Sequence, residues 1–391
     1  MSKQGIANPI TFKGQGAEWF GIWIVNILLS IVTLGVYSAW AKVRTKRYFY
    51  GNTYLAGDNF EYHAKPIQIL KGRLVALAVV LIWAISNAFF PVLAIAFMLV
   101  FYMALPWLLW SNARFDSAMT SYRNVHFSFN STLKSAYVAL MGRALVALLV
   151  VAVLIVAIAV TAQFNSILAV ILGVLSALAF AVLYGWVSSG VCRYFTNGYR
   201  YGNWQFSAEI TTEFFIKLYL KALALGIASA IAIFIVAALG TFGLGALAPA
   251  LAIDVTSMTG VSVFVYTALI YLVLIVMMIA LTTYTAVRTR NYVFAQLQLQ
   301  QEAQGGDAVE FSSSYTVGGY MWLVLSNFLL QVVTLGLARP WVMIRASRYV
   351  ADNTVVVGDM SLIKTYDQDS AVKSAITDEV AQAFDLGVGI G

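Results

Sequence analysis

Apolar positions run through this chain in long uninterrupted blocks. Three stretches, Leu74 to Ala113, Ala144 to Cys192 and Ala222 to Val287, contain no Lys or Arg. A membrane-crossing helix needs about 20 apolar residues. Each block therefore predicts a helical hairpin, with tips near Asn87 to Pro91, Gln163 to Ser166 and Gly243 to Gly260. The last tip carries Asp254 and no cation, as an outer loop should. Between the blocks the pattern shortens to alternation. Asn52 to Tyr62 reads as two β-prone runs about a Gly-Asp-Asn turn, with similar aromatic and polar alternation at Val125 to Phe129 and Tyr201 to Phe206. Ile10 to Phe12 is expected to add an edge strand. Gln296 to Ala308, with Gly305-Gly306, reads as a polar linker, and Ser370 to Leu386 as a soluble amphipathic helix.

Composition narrows the class. The 391 residues are 61% hydrophobic and 10% charged, against about a quarter charged in soluble domains, and mean hydropathy is +0.81. A water-soluble fold is excluded. The formal charge of +7 raises nucleic acid as a partner. The basic residues, however, sit in short loops between apolar blocks, which is the arrangement the positive-inside rule describes. Those loops are expected to be cytoplasmic, and no nucleic-acid partner is implied. No removable signal peptide is expected. Cys192 stands alone and His63 and His126 are the sole histidines, so no disulfide, metal site or cofactor is implied.

The chain repeats itself. A shift of 301 positions, the separation of Asn26 from Asn327, superposes Asn26 to Asp58 on Asn327 to Asp359 without a gap. Thr33-Leu34-Gly35 falls on Thr334-Leu335-Gly336, Trp40 on Trp341, Arg44 on Arg345, Arg47 on Arg348 and Tyr48 on Tyr349. A weaker echo at a shift of 79 relates Trp107, Arg114, Phe115, Phe127 and Ser128 to Trp186, Arg193, Tyr194, Phe206 and Ser207. Full spanning by both terminal copies would point homologous segments in opposite directions. The preferred reading has each copy enter partway, break at Thr-Leu-Gly and return. An inverted-topology pair with eight spans is the competitor.

The expected fold is thus an all-α polytopic membrane protein. It has six transmembrane helices in three hairpins, two broken or re-entrant terminal repeats and small cytoplasmic β-hairpins. Its parts are a cytoplasmic N-terminal segment 1–17, the N-terminal repeat 18–50, a β-hairpin loop 51–73, and transmembrane hairpins 74–113, 144–192 and 222–287. Cytoplasmic loops 114–143 and 193–221 separate the hairpins, and a cytoplasmic linker 288–318, the C-terminal repeat 319–359 and an acidic cytoplasmic tail 360–391 follow.

The run Thr33-Leu34-Gly35-Val36-Tyr37, then Trp40-Ala41-Lys42-Val43-Arg44 and Arg47-Tyr48, resembles the YjgN-like family of bacterial inner-membrane proteins, a domain of unknown function. The likeness extends over nearly the whole chain, and the C-terminal copy departs from the motif at Ala338 and Met343. The resemblance implies a bacterial inner-membrane location and names no substrate.

Candidate functional residues follow from burial cost and repetition. Asn26 and Asn327 lie in apolar segments, where an amide needs a partner; they either line a pathway or make an interhelical hydrogen bond. Arg44, Arg47, Arg114, Arg193, Arg345 and Arg348 could bind lipid phosphates or an anionic solute, against plain interfacial anchoring. Gly35 and Gly336 are hinge candidates, against a static turn. Trp40, Trp107, Trp186 and Trp341 read as an interfacial belt. The apolar spans carry no carboxylate, which disfavours ion coupling, and no motif singles out an enzyme. Two functions stand: a transporter, channel or lipid-handling protein for an apolar, amphipathic or anionic solute, and a non-catalytic scaffold. Membrane lipids are the expected partners, with a protein partner at the cytoplasmic face for the scaffold reading. Oligomeric state is left open.

Overall fold

The computed structural model describes residues 6–247, 260–301, 309–361 and 363, with side chains described in all of these except 240–247 and 260–266. The outer tip at Asp254, the Gly305-Gly306 pair and the helix expected over Ser370 to Leu386 lie outside the described residues.

The all-α expectation is overturned. Eleven strands form one antiparallel sheet, a nearly closed barrel rather than separate small hairpins. They are β1 (Ala7–Pro9), β2 (Thr11–Phe12), β3 (Thr53–Leu55), β4 (Asp58–Tyr62), β5 (Thr120–Tyr122), β6 (Val125–Phe129), β7 (Tyr199–Tyr201), β8 (Trp204–Ala208), β9 (Leu297–Gln301), β10 (Val309–Ser313) and β11 (Thr354–Val357). Strand order follows the chain from β2 to β11, and β1 then pairs with β11 (Ala7 opposite Val357) while β2 pairs with β3 (Thr11 opposite Tyr54). Thr11–Phe12, strand β2, is the end strand of the sheet and pairs with β3, as expected for an edge. Segment 7–12 supplies the strands at both ends of the sheet, so the two edges meet in one short segment and the barrel is nearly closed.

Alternation decides which face is inside. In β6, Val125, Phe127 and Phe129 share one face and His126 and Ser128 the other; in β8, Trp204, Phe206 and Ala208 alternate with Gln205 and Ser207. The apolar faces converge on the lumen in a core of Leu55, Tyr122, Val125, Tyr201, Trp204, Leu299, Val309 and Val356. A polar exterior with an apolar interior is the reverse of a membrane-spanning barrel, whose apolar side faces lipid. The polar linker expected from Gln296 is also corrected. Leu297 and Leu299 alternate with Gln298 and Gln300, and this stretch is strand β9, paired along its length with β8.

Between strands run the helices: α1 (Gly16–Val32), α2 (Ser38–Gly51), α3 (Pro66–Phe89), α4 (Pro91–Ala118), α5 (Leu133–Ala136), α6 (Arg143–Phe164), α7 (Ser166–Thr196), α8 (Thr212–Leu247), α9 (Gly260–Gln296), α10 (Val317–Val333) and α11 (Arg339–Asp352). A π-helical turn, Tyr137–Gly142, joins α5 to α6. Among the described residues six helical stretches are long and apolar enough to cross a membrane: Pro66–Phe89, Pro91–Ala118, Leu133–Phe164, Ser166–Thr196, Thr212–Leu239 and Thr267–Gln296.

The described residues repeat one unit five times. Strand, helical hairpin, strand recurs as β2-α1-α2-β3, β4-α3-α4-β5, β6-(α5, α6)-α7-β7, β8-α8-α9-β9 and β10-α10-α11-β11. Because consecutive strands are antiparallel, every helical hairpin leaves and rejoins the barrel at the same mouth. The helices pack in chain order round a ring, and α11 closes it against α1. Units one and five are short: α1 and α10 have 17 residues each, about 25 Å of helix against about 30 Å of hydrocarbon.

The Thr-Leu-Gly repeat is the turn of these short hairpins. Thr33 Oγ1 donates to the Leu29 carbonyl at 2.7 Å and accepts from Tyr37 N at 2.9 Å. Thr334 does the same between Leu330 (2.7 Å) and Ala338 (3.0 Å). One hydroxyl thus caps both helices. Leu34 and Leu335 share φ +50, and Gly35 (φ +90) and Gly336 (φ +86) occupy a backbone region that favours glycine. The turns present Leu34 and Leu335 outward, 94% and 93% exposed.

Candidate functional site

Four of the six sequence-derived arginines occupy equivalent places in four of the five units. Arg47, Arg114, Arg193 and Arg348 each stand six positions ahead of a strand, before Thr53, Thr120, Tyr199 and Thr354. Their partners are also equivalent, two positions past the first strand of the following unit. Arg47 Nη2 donates to Ala64 O at 3.4 Å, Arg348 Nη2 to Gly14 O at 3.3 Å, and Arg193 Nη2 to Ile210 O. In unit four Asn291 takes this place and donates to Tyr315 O at 2.8 Å. In unit two Arg114 stacks 4.7 Å from the Trp110 ring, and Trp110 Nε1 donates to Ser131 O at 2.7 Å. Every seam of the ring is stapled from a helix end to the next unit's backbone. Charge-assisted donors to a carbonyl are strong links of this kind.

The second repeated pair behaves differently. Arg44 Nη1 donates to Asn26 Oδ1 at 3.3 Å and to Tyr37 Oη at 3.0 Å, so Asn26 is tied within its own hairpin. Arg345 Nη2 instead donates to Ser326 Oγ at 2.9 Å, and buried Asn327 leaves Oδ1 without a partner. Asn26 and Asn327 do not meet: α11 lies between α10 and α1 in the ring.

Three stacked voids run from the spanning helices into the barrel. The lumen encloses about 190 Å³ between Phe60, Phe127, Phe206, Phe311 and their neighbours, one phenylalanine from each of β4, β6, β8 and β10. Phe206 and Phe311 lie 5.8 Å apart, Phe127 and Phe206 6.4 Å, and Phe60 and Phe127 6.5 Å. Ile10 holds the fifth position, in the bridging segment. At the other end Met360 and Ile363 pack into the lumen, and Arg123 Nη1 holds Met360 O at 2.9 Å. Phe127 and Phe206 also line a second void of about 240 Å³ at the helical mouth, with Val293, Phe294 and Leu297. Val293 in turn lines a third, of about 550 Å³, between α7, α8 and α9, with Tyr184, Cys192, Tyr219, Thr289 and Arg290. Ligand pockets of about 300–1,000 Å³, mostly apolar with few polar groups, are the usual form of a small-molecule site.

Among the described residues Arg290 is the one cation in that wall, and it is 9% exposed. Its Nη2 donates to Thr354 Oγ1 at 3.1 Å, and the guanidinium stacks 4.3 Å from Phe294 and 4.6 Å from Tyr315. Its Nε has no hydrogen-bond partner, and among the described residues no carboxylate is ion-paired with it. A buried cation without a counter-charge is costly.

The aromatic ring is only half visible in the sequence. Phe127 and Phe206 recur at the 79-residue shift, but Phe60 and Phe311 emerge as equivalents only once the strands are aligned. Arg290 carries no signal beyond its place at a helix end.

Six apolar spans on a five-unit aromatic barrel define a multi-pass membrane protein with a water-facing β-barrel beside the spans. The chain belongs to the family described as bacterial protein of unknown function (DUF898), whose model matches residues 7–383. It is similar to inner membrane protein YjgN of Salmonella typhimurium (strain LT2), 29% identical over 389 residues, covering 96% of this chain and 94% of the relative. It is also similar to inner membrane protein YjgN of Escherichia coli O157:H7, 25% identical over 367 residues, covering 90% and 89%. No solved structure matches it. These likenesses and the six apolar helices identify an inner-membrane protein.

Proposed function

We propose that this protein handles amphiphiles, taking an anionic head at Arg290 and an apolar tail into the barrel. The observation that carries the reading is the pair Phe127 and Phe206, which belong at once to the lumen wall and to the void above it. Turning those rings about their side-chain torsions joins the two spaces, and Val293 is the corresponding partition towards the helices. Lumen and mouth are lined by carbon, so they favour a hydrocarbon tail. A scaffold has no need of a void in its core.

In the same reading the barrel faces the cytoplasm, because the cation-rich helix ends of all five units lie at its helical mouth. The short hairpins dip into the inner leaflet and return, since both ends of each join the same sheet.

The test is photo-crosslinking of the purified protein with a diazirine-bearing fatty acid, with adducts mapped by mass spectrometry. Adducts in peptides spanning 120–129 and 199–208 support the reading, and Arg290→Met should weaken capture of the acid while sparing a neutral alcohol analogue. Adducts confined to the outer faces of the spans would overturn it.

A further inference from the structure

We infer that a second site, on the rim of unit three, binds the phosphate of an anionic phospholipid. It is independent of the amphiphile route. A pocket of about 420 Å³ lies where the π-helical turn meets the end of α7, lined by Thr132, Lys134, Ser135, Arg143, Gly190 and Arg193 among others.

Three cations, Lys134, Arg143 and Arg193, line this one pocket, and among the described residues no carboxylate stands in its wall. Among the described residues the two arginines have neutral hydrogen-bond partners. Arg143 Nη1 donates to Trp186 O at 2.9 Å and lies 3.4 Å from Ser189 Oγ, and Arg193 donates to Ile210 O. Like charges gathered without a counter-ion repel. A phosphate relieves that repulsion and accepts from guanidinium, ammonium and hydroxyl groups together.

The walls of the pocket are shaped around these cations. A π turn places an extra residue in the helix and recurs at functional sites; here it separates the segment carrying Lys134 and Ser135 from Arg143. Gly190 makes room on the other wall. A Cβ there would press on the Arg143 guanidinium and push it aside; with glycine the group lies along α7 and stacks 5.1 Å from the Trp186 ring.

Apolar surroundings fix the source of the phosphate. The pocket continues into the outer surface of the π turn and α6, where Val138, Leu145, Val146 and Leu148 are all exposed. A phosphate seated among the cations would run its acyl chains down that face. Basic pockets between spanning helices on the cytoplasmic side are suited to anionic headgroups.

The experiment is native mass spectrometry of the full chain released from nanodiscs of phosphatidylcholine with phosphatidylglycerol, beside thermal shifts in detergent with phosphatidylglycerol or inorganic phosphate. Wild type should retain phosphatidylglycerol. Lys134→Gln and Arg143→Gln should each lower its affinity about fivefold, and Arg143→Lys should retain most of it. Lys134 is exposed, so Lys134→Glu reads the charge without a folding penalty should the Arg143 variants fail to fold. Unchanged retention in Lys134→Glu would overturn the inference. Stabilisation by inorganic phosphate equal to that by lipid would also overturn it, in favour of a free-anion site.

Discussion

Arg348 donates to the carbonyl oxygen of Gly14 across 3.3 Å, and with that bond the last helix of the ring grips the first unit of the chain. The same bond type joins Arg47 to Ala64 and Arg193 to Ile210. A closed ring has no spare seam. Arg348→Ala should therefore destabilise the protein by about 1.5 kcal/mol, the lower end for a hydrogen bond from a charged group, given its 3.3 Å length, seen as a lower Tm in detergent. Arg47→Ala acts at a different seam, so the two losses should add. A Tm unchanged by either substitution would show that the seams hold without their arginines.

The lumen makes a separate prediction. Phe206 stands in the middle of the phenylalanine series, 6.4 Å from Phe127 and 5.8 Å from Phe311. Phe206→Ala should enlarge the lumen and open it to the mouth. Because the side chain is half-buried, a loss of about 2 kcal/mol is expected, below the range for deleting a fully buried aromatic ring. The variant should take up an environment-sensitive apolar dye more readily than wild type. Lower stability without increased uptake would mean that the barrel collapses round the gap.

Much of this architecture is legible in the sequence and some is not. The six spans declare themselves because long cation-free apolar blocks are at home only in a bilayer, and the Thr-Leu-Gly break is written in residues that suit a turn with positive φ. The barrel is hidden because its strands are two to five residues long. Alternation over so few positions carries little information, and the tight-turn pairs such as β3 and β4 are joined into one sheet through pairings that have a whole helical hairpin between the strands. Leu297 to Gln301 shows the difficulty: its glutamines read as a linker, whereas they are the solvent face of a strand whose leucines point inward. The arginines are legible as a repeated set, but their acceptors are backbone carbonyls, which a sequence does not display. Arg290 and the pocket round Arg143 depend on what lies opposite them, so only tertiary structure reveals them.

The short hairpins predict a labelling pattern. In a Cys192→Ser background, Leu34→Cys and Leu335→Cys should resist an impermeant thiol reagent applied outside intact cells, because on the proposed orientation a 17-residue helix rising from the inner face ends within the hydrocarbon. Lys13→Cys, at an exposed position beside the first helix, should react only after the membrane is permeabilised. Outside labelling at Leu34→Cys would show that unit one crosses, and the two terminal units would then be spans after all.

The barrel should also come apart in alkali. Tyr201 donates from Oη to Tyr122 O at 2.8 Å, and burial first, then the neighbouring Tyr122, pushes its phenol up to about 12. Tyr315 is pushed up to about 12 by burial against the opposing pull of Arg290. A free tyrosine titrates near about 10. The folded state therefore holds the neutral phenol more tightly than the unfolded chain does. That contribution is fully present below about pH 10 and is lost as pH rises through about 12, on the order of 2 kcal/mol for each of these buried groups. Phenolate absorbance should rise together with loss of β-sheet signal in this window. Tyr201→Phe should be slightly less stable than wild type near neutrality, because the Tyr122 carbonyl loses its donor. It should be relatively more stable near about pH 12, because one ionising group has gone. Parallel stability curves for the two proteins across the whole range would show that the Tyr201 phenol is not held neutral by the barrel.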